Sequence, residues 1–112
     1  MTVPHLTRRL VLEGAQRVSD GAGGYSEAWV ALGVVWAEVL AGAGRDAFSQ
    51  EVTLASIPYR ITVRGAAQGA ASRPKPEQRF RDGTRLFHIL AVTERDEGGQ
   101  FLTCFAREEA PT

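Results

Sequence analysis

The most regular stretch of the chain runs from Ile57 to Arg64, where apolar and polar side chains alternate. A period of two is typical of a β-strand with one face in a core and the other in solvent. Similar runs recur along the chain and predict further strands. They lie at Leu6 to Val18, Tyr25 to Leu40, Gln78 to Arg81, Thr84 to Thr93 and Gln100 to Arg107.

Glycine-rich and Asp-Gly segments separate these runs and predict tight turns between neighbouring strands. The segment from Ser19 to Gly24 contains several glycines, and Asp82-Gly83 is a strong signal for a two-residue hairpin. Gly33 lies inside the longest run and predicts a break or a bulge. Trp29 and Trp36 are seven residues apart, so they point to opposite faces unless a bulge at Gly33 resets the register.

In one segment the apolar residues follow the spacing of a helix instead of the two-residue alternation of a strand. Phe48, Val52 and Ala55 follow an i, i+4, i+7 pattern, which predicts a short helix between Arg45 and Ala55. Gly65 to Pro76 is small, polar and irregular, and we expect a mobile loop there. The chain is therefore predicted to be mainly β: a single small antiparallel β-barrel or sandwich with one short α-helix and long mobile loops. One domain of residues 1–112 is expected, with a flexible tail at Pro111-Thr112.

The charge and hydropathy of the chain argue against some classes of protein. Thirteen basic and thirteen acidic residues cancel, so the overall field does not favour nucleic acid. The longest apolar stretch, Val30 to Ala37, is too short to span a bilayer. Residues 1–9 contain no apolar core of signal-peptide length. We therefore expect synthesis in the cytoplasm and no membrane partner.

Candidate chemistry is sparse. Cys104 is the single cysteine and lies in an apolar run, which favours a buried, inert thiol. His5 and His88 are the two histidines, and neither has a second ligand at metal-binding spacing. No catalytic residue, metal site or cofactor is predicted, and an enzyme is not expected.

A weak basic patch supports one alternative. Arg79, Arg81 and Arg85 flank Phe80 across a predicted hairpin, a composition seen in proteins that bind single strands. Alternation places Arg79 and Arg81 on one face and Phe80 on the other, so Phe80 is expected in the core. A small nucleic-acid-binding β-barrel remains open as the second hypothesis.

The order and spacing of several segments give a more specific indication. They are Arg8-Arg9-Leu10, Asp20-Gly21-Ala22-Gly23-Gly24-Tyr25, Trp29, Trp36-Ala37-Glu38-Val39, Gly44-Arg45 with Phe48, Tyr59-Arg60-Ile61-Thr62-Val63-Arg64, Arg79-Phe80, Phe87-His88-Ile89, Leu102-Thr103-Cys104 and Arg107-Glu108-Glu109. Together they resemble the phage head–tail joining family, the adaptor and head-completion stopper proteins of long-tailed phages and gene transfer agents. Two departures are visible: Tyr59 stands where histidine is common, and the loop from Gly65 to Pro76 is longer than usual.

The resemblance implies a virion structural protein that forms a homo-oligomeric ring of six or twelve copies. Its neighbours would be a portal or adaptor protein on one side and a tail terminator or tail tube on the other, with double-stranded DNA passing through. Adaptor, stopper and tail terminator all remain possible roles. The implied mechanism is mechanical, because a loop from each subunit closes the channel.

Two sets of residues follow as candidates. The segment Ala41 to Ile57 is preferred over Gly65 to Pro76 as the loop that reaches the channel. Its candidate channel residues are Arg45, Asp46, Gln50 and Glu51. The candidate inter-subunit residues are Trp29, Arg60, Arg64, Arg79 and Arg81.

Overall fold

The computed structural model describes residues 3–42, 58–67 and 69–109. These residues form six strands in an antiparallel arrangement, and no helix occurs among them. The strands are β1 (Arg8–Ser19), β2 (Tyr25–Ala41), β3 (Pro58–Arg64), β4 (Arg79–Asp82), β5 (Arg85–Glu94) and β6 (Phe101–Glu108). The prediction of a mainly β chain is confirmed, and the predicted helix lies outside the described residues.

The strands close into a barrel in the order β1-β2-β3-β6-β5-β4. Closure comes from a short β1–β4 pairing, in which Val11, Leu12 and Glu13 oppose Arg81, Phe80 and Arg79. Alternate residues of each strand point inward and fill the interior with apolar side chains. The fully buried large side chains of this core include Leu10, Leu12, Ile61, Phe80, Phe87, Ile89 and Leu102.

A bulge in β2 is present at the predicted glycine. Leu12 opposes Gly33, whereas the next residue, Glu13, opposes Ala31, so β2 contains one extra residue here. The extra residue resets the alternation, and Trp29 and Trp36 now point to the same side of the sheet. That side is the outer one: Trp36 is 54% exposed, and Trp29 is half-buried.

The β1–β2 hairpin is longer than the barrel that it helps to form. Residues 14–19 of β1 pair only with β2, and residues 25–30 of β2 pair only with β1. We call residues 14–30 the hairpin arm. The Asp20 carboxylate accepts hydrogen bonds from the backbone N–H groups of Ala22 and Gly24 and so shapes the tip of the arm.

The barrel end from which the arm leaves is covered by the connection between β3 and β4. Gly65 donates a backbone hydrogen bond to Gln100, the Arg73 guanidinium donates to the carbonyl of Ala66, and Pro74 is fully buried. These contacts hold parts of the loop that the sequence indicates is mobile, and its mobility stays a prediction. No helix of the described residues is long and apolar enough to cross a membrane.

Gly65 is a sensitive position in this cover. A Cβ atom there would lie 2.0 Å from the backbone oxygen of Gly99, and a backbone atom cannot rotate away. We expect Gly65→Ala to lower the free energy of unfolding by about 1–3 kcal/mol, the usual cost of overpacking. Gly98→Ala is the control, since a Cβ atom there would lie 3.3 Å from its nearest neighbour, a side-chain oxygen of Asp96, which is far enough for a small shift to accommodate it. Urea unfolding followed by circular dichroism checks this, and equal stability of both variants would contradict it.

Candidate inter-subunit surfaces

The first candidate surface is the outer face of β1 and β4, which we call the clamp face. The Glu13 carboxylate accepts hydrogen bonds from Arg79 at 2.7 Å and from Arg81 at 2.8 Å, using one oxygen for each guanidinium. The guanidinium of Arg79 also lies 4.1 Å from the ring centroid of Trp29. Three of the predicted inter-subunit residues, Trp29, Arg79 and Arg81, therefore meet around one carboxylate.

Glu13 is buried although it points outward, because the two arginines and their neighbours cover it. Burial raises the pKa of a carboxyl group, but hydrogen bonds from Arg81 and Arg79 outweigh this effect and hold the pKa of Glu13 below its usual value. The carboxylate is therefore ionised at neutral pH and neutralises part of the cationic charge of β4.

The second candidate surface is the outer face of β3, β6 and residues 34–40 of β2, which we call the β3 face. Arg60 and Arg64 point outward and are exposed, while Thr62 between them is buried by its neighbours. β3, from Pro58 to Arg64, thus has the half-buried character that the alternation predicts.

Exposed apolar side chains flank these arginines. Arg60 pairs with Leu40 on one side and with Phe105 on the other, and these are 53% and 40% exposed. Trp36 and Arg64 line the same groove, together with Val34 and the start of the β3–β4 connection. Arginine beside exposed aromatic and aliphatic groups is a composition enriched at the centres of protein interfaces.

The two faces lie on opposite sides of the barrel. The ring order places β1 and β4 next to each other, and β3 and β6 next to each other, with β2 and β5 between the two pairs. Trp29, Arg79 and Arg81 are therefore separated by the barrel from Arg60 and Arg64.

A polar network closes the interior at the barrel end opposite the arm. The Arg85 guanidinium donates to both oxygens of Glu108, at 2.8 and 3.0 Å, and the hydroxyl of Tyr59 donates to the same carboxylate at 3.2 Å. Hydrogen bonding from Arg85 lowers the pKa of Glu108, although burial partly opposes this, and the pKa of Arg85 is raised in return. Arg8 and Asp82 form a second ion pair at this end.

Residues 43–57 connect β2 and β3 at this same end. Gly42 donates a backbone hydrogen bond of 2.7 Å to Pro58, and Ala41 pairs with Tyr59, so the chain leaves and re-enters the described structure at one point. The candidate channel residues Arg45, Asp46, Gln50 and Glu51 lie outside the described residues.

The basic patch that suggests nucleic-acid binding is not assembled. Arg79 and Arg81 point outward and share Glu13, whereas Arg85 points into the barrel end and binds Glu108. Phe80 is fully buried, as the alternation predicts. These three cations do not form one surface, and each is paired with a carboxylate.

The remaining candidates for chemistry are also placed by the fold. Cys104 is buried in the core, and burial raises its pKa to about 12, so the thiol is protonated at neutral pH. His88 lies 3.4 Å from a carboxylate oxygen of Glu77 and 3.8 Å from one of Glu109. Among the described residues, no three side chains of His, Cys, Asp or Glu are grouped to hold a metal ion.

Glu13 and Glu108 are important residues that the sequence does not single out. Each accepts hydrogen bonds from arginines that are distant in sequence. The arginines bound by Glu13 are 66 and 68 residues away, and the arginine bound by Glu108 is 23 residues away. The available signal is a carboxylate within an alternating run of a predicted strand. That signal does not identify a partner.

Comparison with known proteins gives a consistent result. The family model of the phage head completion protein matches residues 1–109. A chain in the virion of a native gene transfer agent particle is 57% identical, with a TM-score of 0.78, and the match covers 98% of this chain and 100% of that one. A Shigella flexneri 2a protein with a solution structure has the same fold at 21% identity, with a TM-score of 0.73 and complete coverage of both chains. Among curated proteins, no sequence matches.

The Glu108 network predicts a specific dependence on acid. Because the pKa of Glu108 is lowered by folding, its stabilisation is present above the unfolded value and is lost as the pH falls through the lower folded value. We expect Glu108→Gln to lower the free energy of unfolding by about 1–3 kcal/mol at neutral pH, since Arg85 loses its ionic partner. The loss should shrink as the pH falls below about 4.5.

Thermal unfolding measured at a series of pH values checks this, with Glu97→Gln in the exposed β5–β6 turn as the control. A Glu108→Gln variant whose stability runs parallel to the original protein from neutral to acid pH would refute the assignment.

Proposed function

Because this chain belongs to the phage head completion protein family, it is a structural head–tail connector protein, and we propose that it serves as the stopper that closes the DNA channel. The protein would form a ring of six or twelve copies. Portal or adaptor subunits would lie on one side of the ring and the tail terminator or tail tube on the other, with double-stranded DNA passing through its centre.

The observation that carries the proposal is the 57% identity, over nearly the whole of both chains, to a chain of a gene transfer agent virion. The TM-score of 0.78 shows that the two chains share one fold. The protein is thus a component of a phage or phage-like particle. Its function would be mechanical, and it would not catalyse a reaction.

The structure supports residues 43–57 as the segment that closes the channel. Gly42 and Pro58 are held together by a backbone hydrogen bond, and the Glu108 network ties the start of β3 to the end of β6 directly beneath them. A connection of this length, extended out and back, reaches at most roughly 25 Å from its base. A fixed base lets such a segment change position while the barrel keeps its shape.

The alternative closing segment is less suitable. The Gly65–Gln100 hydrogen bond attaches residues 65–76 to the barrel, the Arg73–Ala66 hydrogen bond links two parts of the segment, and Pro74 is buried. Moving that segment would break these contacts and uncover the core, which costs free energy.

Ring formation is supported by the placement of the two candidate surfaces. A cyclic ring needs heterologous contacts, in which one face of a subunit meets a different face of its neighbour. The clamp face and the β3 face lie on opposite sides of the barrel and differ in composition. We propose that the clamp face of each subunit meets the β3 face of the next.

Shortening residues 43–57 tests the closing segment. We expect replacement of residues 46–54 by three glycines to leave ring assembly on heads unchanged, because the Gly42–Pro58 bond and the barrel remain. Packaged DNA should then leak from the heads. Nuclease-protected DNA per purified head measures this. A matched variant with three extra glycines between Gly98 and Gly99 should retain DNA, and full retention by the shortened variant would refute the proposed closure.

Charge reversal on the β3 face tests the ring contact. Arg60→Glu and Arg64→Glu should reduce the amount of protein bound to heads about tenfold, because the arginine stem and guanidinium pack against apolar and aromatic groups at such interfaces and a carboxylate cannot replace those contacts. The melting temperature should change little, because both side chains are exposed. Lys75→Glu, an exposed cation outside the β3 face, should bind normally. Normal head binding by both arginine variants would mean that the β3 face is only solvated.

A further inference from the structure

The hairpin arm has two open backbone edges. Residues 14–19 pair with β2 on one side and with no strand on the other, and residues 25–30 pair with β1 alone. A two-stranded hairpin that projects from a domain is marginally stable in water by itself. Open edges of this kind are templates for pairing with another chain.

Hydrogen-bond alternation identifies which groups face the open edges. At the tip, Asp20 donates its backbone N–H to the carbonyl of Gly24. In an antiparallel ladder every second pair exchanges hydrogen bonds, so every second pair from the tip along the arm is hydrogen-bonded within the hairpin. The intervening pairs, Arg17 with Glu27 and Ala15 with Trp29, direct their N–H and C=O groups outward. Each strand therefore presents a regular row of unpaired donors and acceptors.

The two edges carry opposite charge. Arg17 is the single charged residue of 14–19, and Glu27 is the single charged residue of 25–30. They oppose each other in the hairpin, yet the Arg17 guanidinium lies over the ring of Tyr25, 4.3 Å from its centroid. Among the described residues, no ion pair includes Glu27. The β2 edge of the arm thus offers an unpaired carboxylate, and the β1 edge offers a cation.

We propose that the arms of neighbouring subunits pair edge to edge, the β2 edge of one arm against the β1 edge of a second copy. β1 and β2 run in opposite directions, so arms that point the same way along a ring axis meet as antiparallel strands. Glu27 of each copy then lies beside Arg17 of the next. Repetition around the ring closes a continuous antiparallel sheet and leaves no open edge in the arms. This inference rests on the proposed ring.

A second copy fits these edges for two reasons. The contact is heterologous, so it closes with the same symmetry as the proposed ring. Exposed apolar groups on the arm, Val18 and Tyr25, are 44% and 65% exposed in the single subunit and would be covered by the adjoining arms. A partner of another sequence would need to supply both a cationic and an anionic strand to match both edges.

Mixing two charge variants separates contacts between copies from contacts within one arm. Arg17→Glu alone and Glu27→Arg alone both place like charges at the proposed contact, and each should bind to heads about tenfold less well. An equal mixture should recover binding, since alternating subunits restore an opposite pair at every contact. Within each hairpin the like charges persist, so recovery cannot come from repair of the arm itself.

Cysteine cross-linking tests the same contact without altering charge. Gln16→Cys and Ala28→Cys oppose each other within the hairpin and should also meet between copies at the proposed register. When the two single variants are mixed on heads and oxidised, we expect a disulfide-linked dimer, because residues 16 and 28 of two copies would form a non-hydrogen-bonded antiparallel pair, whose Cα separation of about 4.5 Å lies within disulfide range. Either variant alone should give no dimer. Native Cys104 is buried and does not interfere.

The outcomes distinguish this inference from the proposed function. If the unchanged protein does not bind or close heads, the stopper proposal itself fails. If it does, while the charge mixture fails to recover binding and the cysteine mixture gives no dimer, edge pairing of the arms is wrong. Circular dichroism of each variant confirms that the barrel is folded. Recovery in the charge mixture together with the mixed dimer supports the pairing.

Discussion

Closure of the barrel depends on one short pairing. β4 has four residues, and three of them meet β1 to complete the ring of strands. So few backbone hydrogen bonds provide limited stabilisation, and Glu13 reinforces them by binding Arg79 and Arg81 on either side of the buried Phe80. The carboxylate lies on the outer face while the aromatic ring lies inside, so the same three residues of β4 are fixed from both sides. Without this junction, β1 and β4 would each have an exposed edge, and the clamp face would not exist.

Much of the fold could be predicted from local patterns. Alternation located the strands, Asp82-Gly83 indicated a hairpin whose loop is Gly83-Thr84, and Gly33 indicated the bulge. The consequence of the bulge was harder to predict: it aligned Trp29 and Trp36, but on the outer side. Alternation says which residues share a face of one strand, and it does not say which face meets the core after a register shift.

The candidate surfaces were predictable only in part. Arg60 and Arg64 could be assigned to an outer face, because the whole of β3 follows one alternation. The grouping of Trp29 with Arg79 depends on the pairing of β1 with β4, which joins segments more than 60 residues apart. Arg85 does not join the predicted basic patch, for a related reason. Alternation along β5 directs Arg85 into the barrel. A cation can point inward here because its guanidinium donates hydrogen bonds to Glu108 and Tyr59 at the open end of the barrel.

Because the strands differ in length, the molecule consists of a closed barrel and a projecting hairpin arm. In the barrel, each strand is paired on both sides, so a subunit presents few open edges to unintended partners. In the arm, β1 and β2 continue after their outer partners have ended, and residues 25–36 of β2 pair with no strand other than β1. Residues 43–57 leave from the opposite end, where the Glu108 network stabilises the base. In the connector that we propose, contacts between the arms of neighbouring copies and the closing segment lie at opposite ends of the closed barrel, so movement of the segment would leave the contacts between arms in place.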